Sequence, residues 1–443
     1  MMSVAAALVV HLADRDHDTV PRAVAVTFTM HRSYAMRRFR TVMQLMLLGG
    51  VVACGGGSDG ETPVTPLPTP LSPSPSVPSL SVLGQGEITN RFTGEITVGQ
   101  RYAYSSTWGT RSSVRGNAVF VWDLNTAVPT LVDSVIIADA GTTGDVQVVI
   151  DANLLVVAVE PSPRGAIVLY DIENPARPQL ILRYETPNTI NGVHTAQVTR
   201  VDGRLYAFLS INPRGGESAK LVIVDITDPR APVERWVKNL GAPFIHDVHV
   251  REGILLTAEW NDGMAAYDIG GGNRGGSPSN PVLLGRVQTV GGSVHNVYWL
   301  RDAVSGARYA IVGEEGPGAL GTSSQGDVHV VDVSSWSAMR EVAFFRVGSA
   351  GTHNFWVDEA DGVLYAAYYN AGVRALDVRG DLSSCLPSAR DALNRCDLAL
   401  ANRLLGTALT TGSAYVWGVD GASGSVMVSD MLRGVWRIAR VVR

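Results

Sequence analysis

The sequence predicts an all-β fold, a seven-bladed β-propeller of four-stranded blades, on three observations. The 443 residues are 46% hydrophobic with 47 glycines and 22 prolines, so the chain buries a core yet turns often. That balance favours many short strands over long helices. Apolar runs ending in aspartate recur as "AVFVWDL" (118–124), "AIVLYDIENPARP" (166–178), "LVIVDITDPRAP" (221–232), "MAAYDI" (264–269), "VHVVDV" (328–333) and "VRALDV" (373–378). Their aspartates, Asp123, Asp171, Asp225, Asp268, Asp332 and Asp377, stand 48, 54, 43, 64 and 45 residues apart. A period of this size built from short strands suits propeller blades. "GVWRIAR" (434–440) reads as a seventh copy, with Arg437 in the aspartate column.

Each copy brings the same companions. An innermost strand comes first, such as "HTAQV" (194–198), "HDVHV" (246–250) or "HNFWV" (353–357), and then a second, such as "LYAF" (205–208), "LLTA" (255–258) or "LYAA" (364–367). Gly203, Gly253 and Gly362 stand between the two, as a tight hairpin demands. The run ending in aspartate is the third strand. Asp225 and Asp228 then form a Pro-rich corner, their carboxylates bonding nearby amides. An outer strand such as "PVLLGRV" (281–287) follows, where proline is tolerated because one side is unpaired. The last copy lacks an outer strand, and "SLSVLGQ" (79–85) matches "NPVLLGR" (280–286). The N-terminal strand is therefore expected to close the ring and remove an exposed edge.

The first eighty residues differ in kind. Arg37, Arg38 and Arg40 precede an apolar run from Val42 to Val52, the layout of a secretory signal too short to span a bilayer stably. Val51-Val-Ala-Cys54 resembles the bacterial lipobox, although leucine is usual where Val51 stands. The resemblance implies lipidation of Cys54, which becomes the mature N-terminus, and Gly55 after it resembles an outer-membrane sorting signal. Met36 is the expected start, with residues 1–35 an upstream extension and 36–53 the signal peptide. Residues 54–79 carry proline at nearly every second or third position from Pro63 and form an extended, disordered tether. The propeller then occupies 80–443, with an insertion at 380–402 in the sixth blade. Within it Cys385 and Cys396, a close pair in an exported loop, read as a disulfide.

"LVIVDITDP" (221–229) resembles the LVIVD repeat of exported bacterial and archaeal proteins, and weaker copies extend that resemblance over roughly residues 90 to 440. The resemblance implies a β-propeller at the cell surface. It implies no single activity.

Chemistry concentrates at one expected place. His194, His246, His295 and His353 each begin an innermost strand, so they should gather at one mouth of the central channel. Glu160, Glu259 and Glu314 stand near the ends of second strands, which return to the same face. Imidazole with carboxylate suits zinc, copper or iron. The competing reading is structural, because each blade solves the same folding problem with the same residue, and it ranks ahead of metal. His249 and His329 fall off this column and read as structural. Trp260, Trp299, Trp356, Tyr368 and Tyr369 end strands on the same face, where packing between blades ranks ahead of ligand binding.

Other signals are weak. "GPGALG" (316–321) satisfies GxGxxG without the flanking strand and helix a dinucleotide site needs. A net charge of −5, with Lys220 and Lys238 the only lysines, argues against nucleic acid as a partner. The expectation is thus an exported, lipid-anchored monomer at the outer membrane or cell surface. It binds or scaffolds a protein, peptide or glycan, and catalysis ranks behind that reading. The alternative is a metal-dependent enzyme using the histidine mouth.

Overall fold

The structure, a computed structural model, describes residues 77–443 except 162, 242–243, 303–305, 307, 316–325, 349 and 412–413. Cys54, the signal segment, most of the tether and the GPGALG motif lie outside the described residues. Among the described residues there is no α-helix, and the fold is all-β, consistent with a β-propeller.

Four-stranded antiparallel meanders follow one another along the chain. Val193–Val201, Arg204–Ile211, Ala219–Asp225 and Val233–Gly241 form one, in that order. Asp247–Arg251, Ile254–Ala258, Met264–Asp268 and Val282–Val287 form the next. Two earlier meanders, beginning at Phe92–Gly99 and Ala140–Val149, are joined where Thr107 pairs with Thr143. Two later ones begin at Val294–Arg301 and Phe355–Asp358. A further sheet runs Val416–Ala422, Ser425–Asp430, Gly434–Ala439 and then Val82–Glu87, so the N-terminal strand supplies its outer edge. In every earlier copy the pairing with the outer strand shifts register just before the residue that precedes the aspartate. In the last sheet that shift falls between Arg437 and Ile438, which puts Ala439, not Arg437, at the aspartate position. The aspartate column therefore reaches the last meander as alanine.

The repeated aspartate has a local cause. Asp123, Asp171, Asp225, Asp268, Asp332 and Asp377 each accept the backbone N–H two residues on, the Asx turn that bends the chain into its outer strand. Asp228 does the same for Arg230. On the hairpins between first and second strands, Asp202 and Gly203 (φ 49° and 78°) both take left-handed backbone, as a type I′ turn requires.

Apolar clusters form between successive meanders. Val198 and Leu209 pack with Val156 and Ile167 of the preceding meander. On the other face Phe208 and Ile223 pack with Val250 and Leu255 of the following one. Strands buried on both faces read as continuous apolar runs, which is why "LVIVD" does not alternate. The first and last meanders share a cluster too, with Ile96, Ala103 and Trp122 against Ala422, Met427 and Val435.

Candidate functional site

One cavity of about 300 Å³ is lined by residues from every first strand: Glu95, Gly144, His194, Asp247, His295, Phe355 and Trp417 stand on, or at the start of, seven different ones. Aligning those strands gives a column of Gly94, Gly144, His194, His246, His295, His353 and Trp417. Four consecutive meanders present imidazole, and the others present two glycines and an indole. A Cβ on Gly144 would lie 2.7 Å from the His194 carbonyl oxygen, so that position has no room for a side chain.

Local irregularity aims the histidines. The pairing register shifts between Val193 and Thr195 and again between Val294 and Asn296, which makes His194 and His295 bulge residues. Bulges re-aim side chains beside functional sites. His246 and His353 stand just before their strands, held by N–H bonds to the carbonyls of Ala258 and Ala367.

The four rings form a continuous chain. His194 and His246 approach with Nε2 atoms 2.7 Å apart, and ring centroids step 3.8 Å from His246 to His295 and 4.2 Å on to His353. Second contacts orient the ends of this chain. His194 donates from Nδ1 to Glu160 at 2.5 Å, and His353 donates from Nδ1 to the Trp417 carbonyl at 2.8 Å. In the neutral rings both Nε2 atoms are thereby left as acceptors. Nδ1 of His246 and both ring nitrogens of His295 are buried without a hydrogen-bond partner. Ligating atoms of His246, His295 and Glu315 lie within 4.8 Å of one another.

Electrostatics divide the group. Burial, reinforced by the neighbouring imidazoles, holds His246, His295 and His353 well below the ordinary histidine range. That shift favours the neutral ring, the form whose lone pair can bind a cation. Burial also opposes a charge on His194, but the Glu160 carboxylate outweighs it and raises that ring. One step deeper stand Glu95, Asp145 and Asp247, all pushed up by burial, Asp247 to about 8. Asp145 and Asp247 accept backbone N–H bonds, Asp145 from Ala196 on the next first strand. Gln147 and Gln197 repeat that bond to Val198 and Val250, satisfying amides that a strand edge facing a cavity would leave orphaned.

Of the expected carboxylates, Glu160 stands beside the histidines, but Glu259 and Glu314 do not join them. Glu259 is committed to an ion pair with Arg286 and a hydrogen bond from Thr257. Glu314 bonds His329, whose other nitrogen bonds Glu341. The neighbouring Glu315 faces the site instead, 3.5 Å from His295, and Glu95 lies 3.5 Å from His353. Aromatic rings surround the imidazoles. Trp260 stacks on His246 and Tyr369 meets His353 edge-on, both from left-handed backbone (φ 50° and 40°). Trp299 and Tyr368 are buried packing residues, and Trp356 stacks on Tyr365.

The LVIVD repeat family matches residues 216–236. The chain carries an LVIVD repeat. That LVIVD segment holds the third strand Ala219–Asp225, its Asx turn and the start of the outer strand, all away from the histidines. No curated protein matches the chain.

Proposed function

We propose that the described unit is a closed seven-bladed propeller that binds a transition metal ion, zinc, copper or iron, at its histidine mouth. The observation that carries the metal reading is the convergence of four imidazoles, three of them buried, with Nδ1 of His246 and both ring nitrogens of His295 left without a hydrogen-bond partner. Two unprotonated ring nitrogens 2.7 Å apart repel through their lone pairs unless a proton or cation lies between them. Ligand nitrogens stand about 2.0–2.1 Å from zinc, hence roughly 3.3 Å from one another in a tetrahedral site, so a small opening admits an ion. Glu160 and the Trp417 carbonyl then play the part of outer partners that fix the tautomer. The cluster shared by the first and last meanders, and the Val82–Glu87 pairing, support closure.

Elemental analysis of protein purified without added metal or an affinity histidine tag tests this. About one equivalent of metal is expected, lost in the His246→Ala/His295→Ala double variant. Glu160→Gln should weaken binding by about 10–100-fold. Protein that stays metal-free after exposure to zinc, copper and iron salts would refute the reading.

The binding module is placed, in the same proposal, on an exported and lipid-anchored chain through Cys54. Cys54→Ala should move the protein from the membrane to the soluble fraction. Unchanged membrane association would remove the anchor from the proposal.

A further inference from the structure

A second cavity, of about 360 Å³, adjoins the histidines and is walled by Phe92, Trp108, Tyr369, Tyr415, Trp417 and Met431. The rest of its lining, among the described residues, is Gly109, Thr110 and Glu315. Trp108 and Trp417 border both cavities, so the two spaces share a wall of indole. The Trp417 ring lies 4.0 Å from His353, and Trp108 meets His194 edge-on at 6.0 Å. Tyr369 bonds Glu315, the carboxylate that faces His295. Holding Tyr369 in left-handed backbone is unfavourable for a bulky residue, and such positions collect at ligand sites.

We infer that this cavity binds a small planar aromatic molecule carrying an oxygen donor, a compound of the phenol class, with its ring among the indoles and its oxygen toward the histidines. The inference rests on the metal reading above, because the ion is what attracts the oxygen. The volume is at the low end of small-molecule pockets, about 300–1,000 Å³, and suits one or two rings. Aromatic walls with one carboxylate would by themselves suit an organic cation. A divalent ion one ring away reverses that preference, since like charges repel, and favours a neutral or anionic oxygen.

The test titrates full-length protein, zinc-loaded and zinc-free, with 4-methylphenol, toluene and benzyltrimethylammonium, following tryptophan fluorescence, which zinc itself does not quench. Elemental analysis reports the zinc content of each sample. Zinc should tighten 4-methylphenol binding at least tenfold and leave toluene unchanged. Thr110→Trp, at the exposed rim, should abolish binding of both while retaining zinc. If zinc-loaded protein binds 4-methylphenol no better than toluene, or prefers benzyltrimethylammonium, the inference is overturned. If no zinc binds, the metal reading falls by itself. The cavity is then judged on metal-free protein, where 4-methylphenol binding blocked by Thr110→Trp upholds the aromatic site and absence of binding removes it.

Discussion

His329 is fully buried and bonded at both ring nitrogens, to Glu341 at 2.8 Å and Glu314 at 3.1 Å. Burial opposes its charge, yet the two carboxylates outweigh that and push it up to about 9. Glu341 also pairs with Arg395, and Asp327 beside Glu314 pairs with Arg346, so three further charged groups extend this ring's network beyond its two carboxylates. A histidine raised on folding stabilises the fold fully below its unfolded pKa of about 6.5, and that contribution is lost as pH rises through about 9. His329→Gln should cost about 3 kcal/mol at pH 6 in denaturant unfolding, with the cost shrinking by pH 9.5. A cost independent of pH would count against the ion pairs. The site residues were partly legible. The four histidines share a sequence column because strand starts recur, and the structural role expected of His329 fits its position between two carboxylates. The choice between Glu314 and Glu315 was not legible, because it depends on pairing and on the bulge at His295. Glu95 carries no local signal, since its own strand begins without histidine.

The insertion after Val373–Asp377 does more than lengthen its own meander. Cys396–Asp397 pairs in parallel with Ala343 and Phe344 of the preceding sheet, and the Cys385–Cys396 disulfide, with an S–S distance of 2.03 Å, closes the segment. Arg395, next to Cys396, stacks over Phe344 and reaches Glu341. The element is thus a clasp between neighbours, where the sequence indicated only a local loop. Replacing both cysteines by serine should cost about 2–3 kcal/mol, from the closure entropy of a short loop. Hydrogen exchange should rise in the Arg340–Phe345 strand as well as in the insertion, and protection unchanged there would show that the clasp is local. Corners such as Asp225–Pro229 were readable because an Asx turn is set by neighbours in sequence. The parallel contact of Cys396 was not, because no short-range pattern specifies it.

Val82–Glu87 occupies the outer edge of Gly434–Ala439, and Gly86 sits so close to Trp122 that a Cβ there would approach its ring to 2.3 Å. Removing residues 77–87 strips the cover from an edge strand, which invites association. The truncated chain should lose more than about 5 °C in Tm and elute partly as oligomers. Gly86→Leu, which keeps the strand but pushes on Trp122, should lower Tm without oligomers; full stability in both variants would deny the strand its role. The matched "SLSVLGQ" segment made this edge foreseeable at the scale of the molecule, although its register needed the structure. The pairing also sets a schedule. Val82 meets Ile438, so the first described strand finds its place only after nearly the whole intervening chain has been made. Such long-range pairing is slow to form, because loop closure precedes any gain from contact. Until then the chain holds an unfinished edge at each end, and the interval of exposure lasts as long as the making of the residues between them.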